Sequence, residues 1–139
     1  MNGNTIGAAA LALIIGTVPA TAQSFRSTNW LTVNPVGPTE FEVIKKASTS
    51  PRAMWCAASD YSGRVLGRYS KTELIIVKPI GPAETQQGRN GVVFTIDAAQ
   101  SPVEPKRSSS VTIQREGASM SAGHAKTLCG DNVFPFSGR

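Results

Sequence analysis

Cys56 and Cys129 are the two cysteines of this 139-residue chain, and together they set the strictest limit on its fold. Two lone thiols at this wide spacing suit a disulfide better than a metal site, which would need further Cys or His at short spacing. If the two thiols pair, the fold must bring the middle of the chain against its C-terminal end. In the chain-entropy view a bridge closing so long a loop stabilises by roughly 4 kcal/mol. That is a large share of the roughly 5–15 kcal/mol that holds a domain together.

Pairing requires an oxidising compartment, and the N-terminus bears on that. An apolar run from Ile6 to Val18 precedes the first charged side chain, Arg26. It ends in Pro19-Ala20-Thr21-Ala22-Gln23, where Ala20 and Ala22 make the small-x-small pattern of a cleavage site. About a dozen apolar residues are too few to span a bilayer as a helix. The segment before them, Met1 to Thr5, carries no Lys or Arg, only the terminal amine. The reading is a signal peptide over 1–22 and a single domain over 23–139, exported to the periplasm or secreted, where thiols oxidise. No transmembrane segment is expected once the signal is removed. Neither cysteine follows the leader in a lipid-attachment context.

The 14 Lys and Arg against 9 Asp and Glu give a net charge of +5, all of it beyond the leader. Such a balance favours anionic surroundings: phospholipid headgroups, lipopolysaccharide or an acidic protein. The basic residues are scattered, with Lys45-Lys46 and Lys106-Arg107 the densest groupings, and no aromatics interleave with them as a stacking platform would require. Nucleic acid is therefore not the expected partner.

Along the chain, Trp30-Leu31-Thr32-Val33 reads as a short strand punctuated by Asn34-Pro35, and Phe41 to Lys46 as a half-buried strand. Ser50 is a good N-cap, Pro51 stands at the first helical position, and Gly67 can close the helix. Within that helix Met54, Ala58, Tyr61 and Val65 recur on one stripe. Cys56 falls nearly opposite, near Ser59, Asp60 and Gly63. The expectation is a C-terminal tail strapped over the helix's outer side, where Ser59 and Gly63 leave room. Thr72 to Ile80, dense in β-branched residues, predicts a strand ended by Pro79, Gly81 and Pro82. A mobile polar loop then leads through Asn90-Gly91 into Val92 to Ile96, as an antiparallel hairpin. Ala98 to Ser109 reads as a polar connection, Ser110 to Glu116 as a third strand with one wet face, and Ser121 to Cys129 as a short helix. Val133-Phe134-Pro135-Phe136 forms an apolar knot near the end. The fold class is α+β: a two-layer domain with an antiparallel sheet of three to five strands, one main helix packed on a face, and one disulfide. An all-β sandwich with a decorating helix competes with it.

Candidate chemistry is sparse. His124, the chain's single histidine, lies in Ser121-Ala122-Gly123-His124-Ala125-Lys126 without a Gly-x-Ser-x-Gly or Cys–His pattern, and reads as an exposed side chain. Asp60, Asp97 and Glu104 could form a carboxylate pair, but Asp60 and Arg64 stand four apart and read as a surface ion pair. The loop Gly81 to Gly91 lacks the Gly-Lys-Ser/Thr ending of a phosphate loop. It presents Glu84, Gln86, Gln87 and Arg89 as candidate partner-binding residues. Trp55 reads as core packing. No catalytic residue, cofactor or metal ligand is expected.

The run Trp55-Cys56-Ala57-Ala58-Ser59-Asp60-Tyr61, followed by Val65-Leu66-Gly67 and the hairpin strand Gly91-Val92-Val93-Phe94-Thr95, resembles a family of small exported proteins of Gram-negative bacteria that carry a Trp-Cys-Ala-Ala-x-Asp-Tyr helix. The resemblance covers roughly Met54 to Thr95, with Cys129 matching a late second cysteine. It implies export and the bridge without supplying a function.

These features lead to a non-enzymatic exported domain that binds an envelope or macromolecular partner, an anionic component or a protein. A small secreted inhibitor of a hydrolase, inserting the Gly81–Gly91 loop, is the first alternative. A small enzyme using His124 or carboxylates is the second.

Overall fold

A computed structural model describes residues 23–132, together with Gly3. The expected signal peptide and the knot Val133-Phe134-Pro135-Phe136 lie outside the described residues. Among the described residues seven strands form one sheet: β1 (Phe25–Arg26), β2 (Thr32–Pro35), β3 (Glu40–Lys45), β4 (Glu73–Pro82), β5 (Asn90–Thr95), β6 (Lys106–Arg107) and β7 (Ala118–Ser121). Helix α1 (Pro51–Arg64) follows β3, and α2 (Ala122–Thr127) follows β7 and runs into a 3₁₀ turn, Leu128–Asn132. The strand order is β1-β2-β3-β5-β4-β7-β6. Every pairing is antiparallel except β6 with β7, so the sheet is mixed and wider than the three to five antiparallel strands expected. The α+β class stands, and among the described residues the strands form one sheet rather than a sandwich.

The start of α1 follows local chemistry. The Ser50 side chain accepts the Ala53 N–H, and Pro51 opens the helix where its missing N–H costs nothing. At the other end the Gly67 N–H donates to the Gly63 carbonyl, and Gly67 takes φ +65, which a side chain would resist. Met54, Ala58 and Tyr61 face the sheet among Val33, Phe41, Val43, Leu74, Ile76, Val92 and Phe94. Val65, the fourth member of the expected stripe, is the C-cap and is 47% exposed. Trp55 meets Phe94 edge-on at 5.0 Å, and its indole N–H donates to the carbonyls of Val111 and Thr112.

The bridge is present. Cys56 and Cys129 are joined across 73 residues, with Cα atoms 4.9 Å apart. Cys129 sits with Ser59, Asp60 and Gly63, on the flank the sequence indicated. The approach at Gly63 is made by a different segment, however. The Tyr69 ring occupies the space there, 2.9 Å from where a Cβ would stand.

Three strand expectations need correction. Pro79 does not end β4, which continues to Pro82 through two register shifts against β5. A proline is tolerated at such an irregularity because no ladder donor is needed there. Ser110 to Glu116 is not a strand. Ser108, Ser110 and Thr112 each accept the backbone N–H two residues on, so local side-chain bonds replace ladder bonds. The strand forms instead at Ala118–Ser121. Asn34-Pro35 does not punctuate the first strand either: both residues lie inside β2, opposite Glu42 and Phe41.

Candidate functional site

A cleft of about 380 Å³ lies on the outer flank of α1. Five separate stretches build it. Ser59, Asp60, Gly63 and Arg64 come from α1, Arg68, Tyr69 and Ser70 from the segment after it, and Ala122, Gly123 and Lys126 from α2. Cys129 and Thr28 complete the wall. Two backbone bonds lock α2 to the middle segment: Ala122 N–H to Thr72 O (2.7 Å) and Gly123 N–H to Ser70 O (3.0 Å). The approach is close at Gly123, where a Cβ would lie 3.1 Å from the Ser70 carbonyl oxygen and the middle segment would have to give by a few tenths of an ångström. The disulfide closes the same junction covalently.

Three cations and one carboxylate line this cleft. Asp60 is fully engaged: it accepts the Thr28 N–H at 2.8 Å and pairs with Arg64 at 3.1 Å. The i,i+4 pair expected from sequence thus also fastens the β1–β2 turn to the helix. Arg64 lies over the Phe25 ring, 5.0 Å from its centroid, which holds the guanidinium in place. Arg68 and Lys126 have no acidic partner among the described residues. Tyr69, 63% exposed, presents its ring at the rim. Chemically the site offers two cations without acidic partners among the described residues and an exposed aromatic ring, a combination suited to an anionic group.

His124 lies on α2, exposed, and its ring makes no hydrogen bond among the described residues. Asp97 is occupied by the N–H groups of Ala99 and Gln100, and Glu104 is exposed. No cluster of three His, Cys, Asp or Glu side chains able to hold a metal ion occurs among the described residues.

The candidate loop departs from the expectation of mobility. Between β4 and β5 it is anchored by Glu42, whose side chain is 0% exposed. One Glu42 carboxylate oxygen accepts the Glu84 N–H (2.8 Å), and the other accepts the Thr85 N–H (2.9 Å) and hydroxyl (2.6 Å). Asn34 donates to the Thr85 hydroxyl oxygen, extending the network to β2. Ala83 N–H to Arg89 O closes the loop, and Arg89 N–H to Gln86 O closes its tip, with Gly88 at φ +78. Glu84 pairs with Lys78 at 3.2 Å, Gln86 is half-buried, and Gln87 and Arg89 are exposed.

The half-buried strand read over Phe41 to Lys46 gave no sign that Glu42 is an anchor. Gly91 carried the missing signal: a glycine inside a strand marks close approach. A Cβ at 91 would stand 2.9 Å from the Glu42 Cγ and Cδ atoms. Among the described residues no helix is long and apolar enough to cross a membrane. Comparison with protein families, with curated proteins and with solved structures finds no match to this chain.

Proposed function

We propose that this is a non-catalytic exported domain, periplasmic or secreted, that binds an anionic envelope or macromolecular partner through the α1–α2 cleft. The observation that carries the reading is the charge imbalance of that cleft. Its single carboxylate is spent on Arg64 and the Thr28 amide, which leaves Arg68 and Lys126 free to meet an incoming anion. Helix, tail and middle segment are tied together around it, so the cations are displayed on a rigid frame. The resemblance to exported Gram-negative proteins and the bridge both agree with export.

Polyphosphate is a suitable probe, followed by calorimetry across a salt gradient. Arg68→Ala and Lys126→Ala should each weaken binding about fivefold, as expected for a surface cation worth about 1 kcal/mol. Binding should fall steeply as salt rises. Equal affinity in wild type and in the double variant would end the reading.

The buried Glu42 anchor favours one second reading, an inhibitor or docking loop. A buried carboxylate is costly unless it is fully hydrogen-bonded, and here all its bonds hold the root of one loop. In that case Gln87 and Arg89 at the tip would make the contact.

A further inference from the structure

Among the described residues, Trp30 is the one non-glycine residue with positive φ, at 67°. This conformation costs an L-residue about 1–2 kcal/mol, and for a bulky side chain it is an outlier. Strain of this kind persists only where the surroundings over-determine the backbone. They do so here. Ser27 N–H donates to Leu31 O and Trp30 N–H to Ser27 O. Asn29 Nδ2 donates to Ala53 O on α1, and the Lys46 ammonium donates to Trp30 O.

The indole gains little burial in exchange, being 61% exposed. Glycine would hold the same turn without strain. The fold therefore accounts for the turn but not for the tryptophan.

The sheet register shows what surrounds it. Val33 pairs with Val43, so the chain before β2 runs alongside the end of β3, where Lys45 and Lys46 stand. Asn90 pairs with Lys45, so Arg89 leaves the sheet at that same end. One rim thus carries an exposed indole and three cations. The nearby carboxylates are committed elsewhere: Glu42 to the loop amides, Glu84 to Lys78, and Asp60 to Arg64.

Lysines are depleted at the centre of protein–protein interfaces, which are built around larger apolar patches. A single indole ringed by flexible cations has instead the composition of a membrane–water boundary. There the indole settles at headgroup depth and the cations reach lipid phosphates. We infer that this end of the sheet docks on an anionic bilayer surface, with Trp30 seated among the headgroups and Lys45, Lys46 and Arg89 against their phosphates.

Trp30 is its own reporter. Trp55 is fully buried, so acrylamide quenches the emission of Trp30 selectively. With the full oxidised chain, phosphatidylglycerol vesicles should protect that emission and shift it to the blue, while phosphatidylcholine vesicles should not. Trp30→Gly should weaken vesicle binding about tenfold while keeping or raising the melting temperature. Lys45→Ala and Arg89→Ala should each weaken it about fivefold. The double variant Arg68→Ala/Lys126→Ala should leave Trp30 protected, which separates this surface from the cleft. Trp30 still fully quenchable at saturating phosphatidylglycerol overturns the inference. So does wild-type vesicle binding by Trp30→Gly, or a fall in its melting temperature.

Discussion

Removing the Cys56–Cys129 bridge perturbs the chain in a way whose size follows from the structure. The bond closes a loop spanning 73 residues of sequence separation. Confining a denatured chain by a loop of that length is worth about 4 kcal/mol in the chain-entropy model. Native contacts at the junction survive its loss, because Ala122 and Gly123 remain hydrogen-bonded to Thr72 and Ser70. Replacing both cysteines by alanine adds a small cavity at the fully buried Cys56 position, worth about 1 kcal/mol. The double alanine variant should therefore lose about 5 kcal/mol and, at about 4 °C per kcal/mol for a domain of this size, melt about 20 °C lower. Urea unfolding followed by circular dichroism and by tryptophan emission is the assay. The m-value should rise, because the freed denatured chain exposes more surface. An unchanged midpoint and slope, with the bond shown by mass to be absent, would refute the reasoning.

Gly91→Ala should drive a methyl group into the Glu42 carboxylate, and Glu42→Ala should orphan the Glu84 and Thr85 amides. Each is expected to cost about 2–4 kcal/mol and to raise amide exchange across residues 83–89, with the rest of the sheet unchanged. Tyr61, packed against Phe41 and Phe25, has its hydroxyl pKa raised above 10.0 by burial. Below pH 10 both folded and unfolded states keep that proton and stability is undiminished. Above it the unfolded chain ionises first, so stability falls as pH rises. Denaturant melts from pH 8 to 11 should show that fall, and Tyr61→Phe should reduce it.

Features coded by neighbouring residues were legible in the sequence. Ser50-Pro51 and Gly67 bounded α1 correctly because capping is local chemistry. The β-branched density of Leu74-Ile75-Ile76 gave a strand, and Asp60 with Arg64 gave a pair. Alternation misled at Ser110 to Glu116, where the same serines and threonines that mimic a wet strand face bond their own backbone. Tertiary context decided the rest. Glu42 looks solvent-facing until the β4–β5 loop folds back over it. The cleft joins Thr28, Asp60, Arg68, Lys126 and Cys129, residues that no local pattern groups. Trp30 gave no sign of its φ, because the strain is imposed by Ser27, Asn29 and Lys46 together.

The cleft is tested most directly by titrating polyphosphate into isotopically labelled, oxidised protein and mapping amide shifts. The account predicts perturbations at Thr28, at 59–70 on and after α1, and at 122–129, fading together as salt is raised. Shifts centred on residues 84–89, or none on the α1–α2 flank, would contradict it.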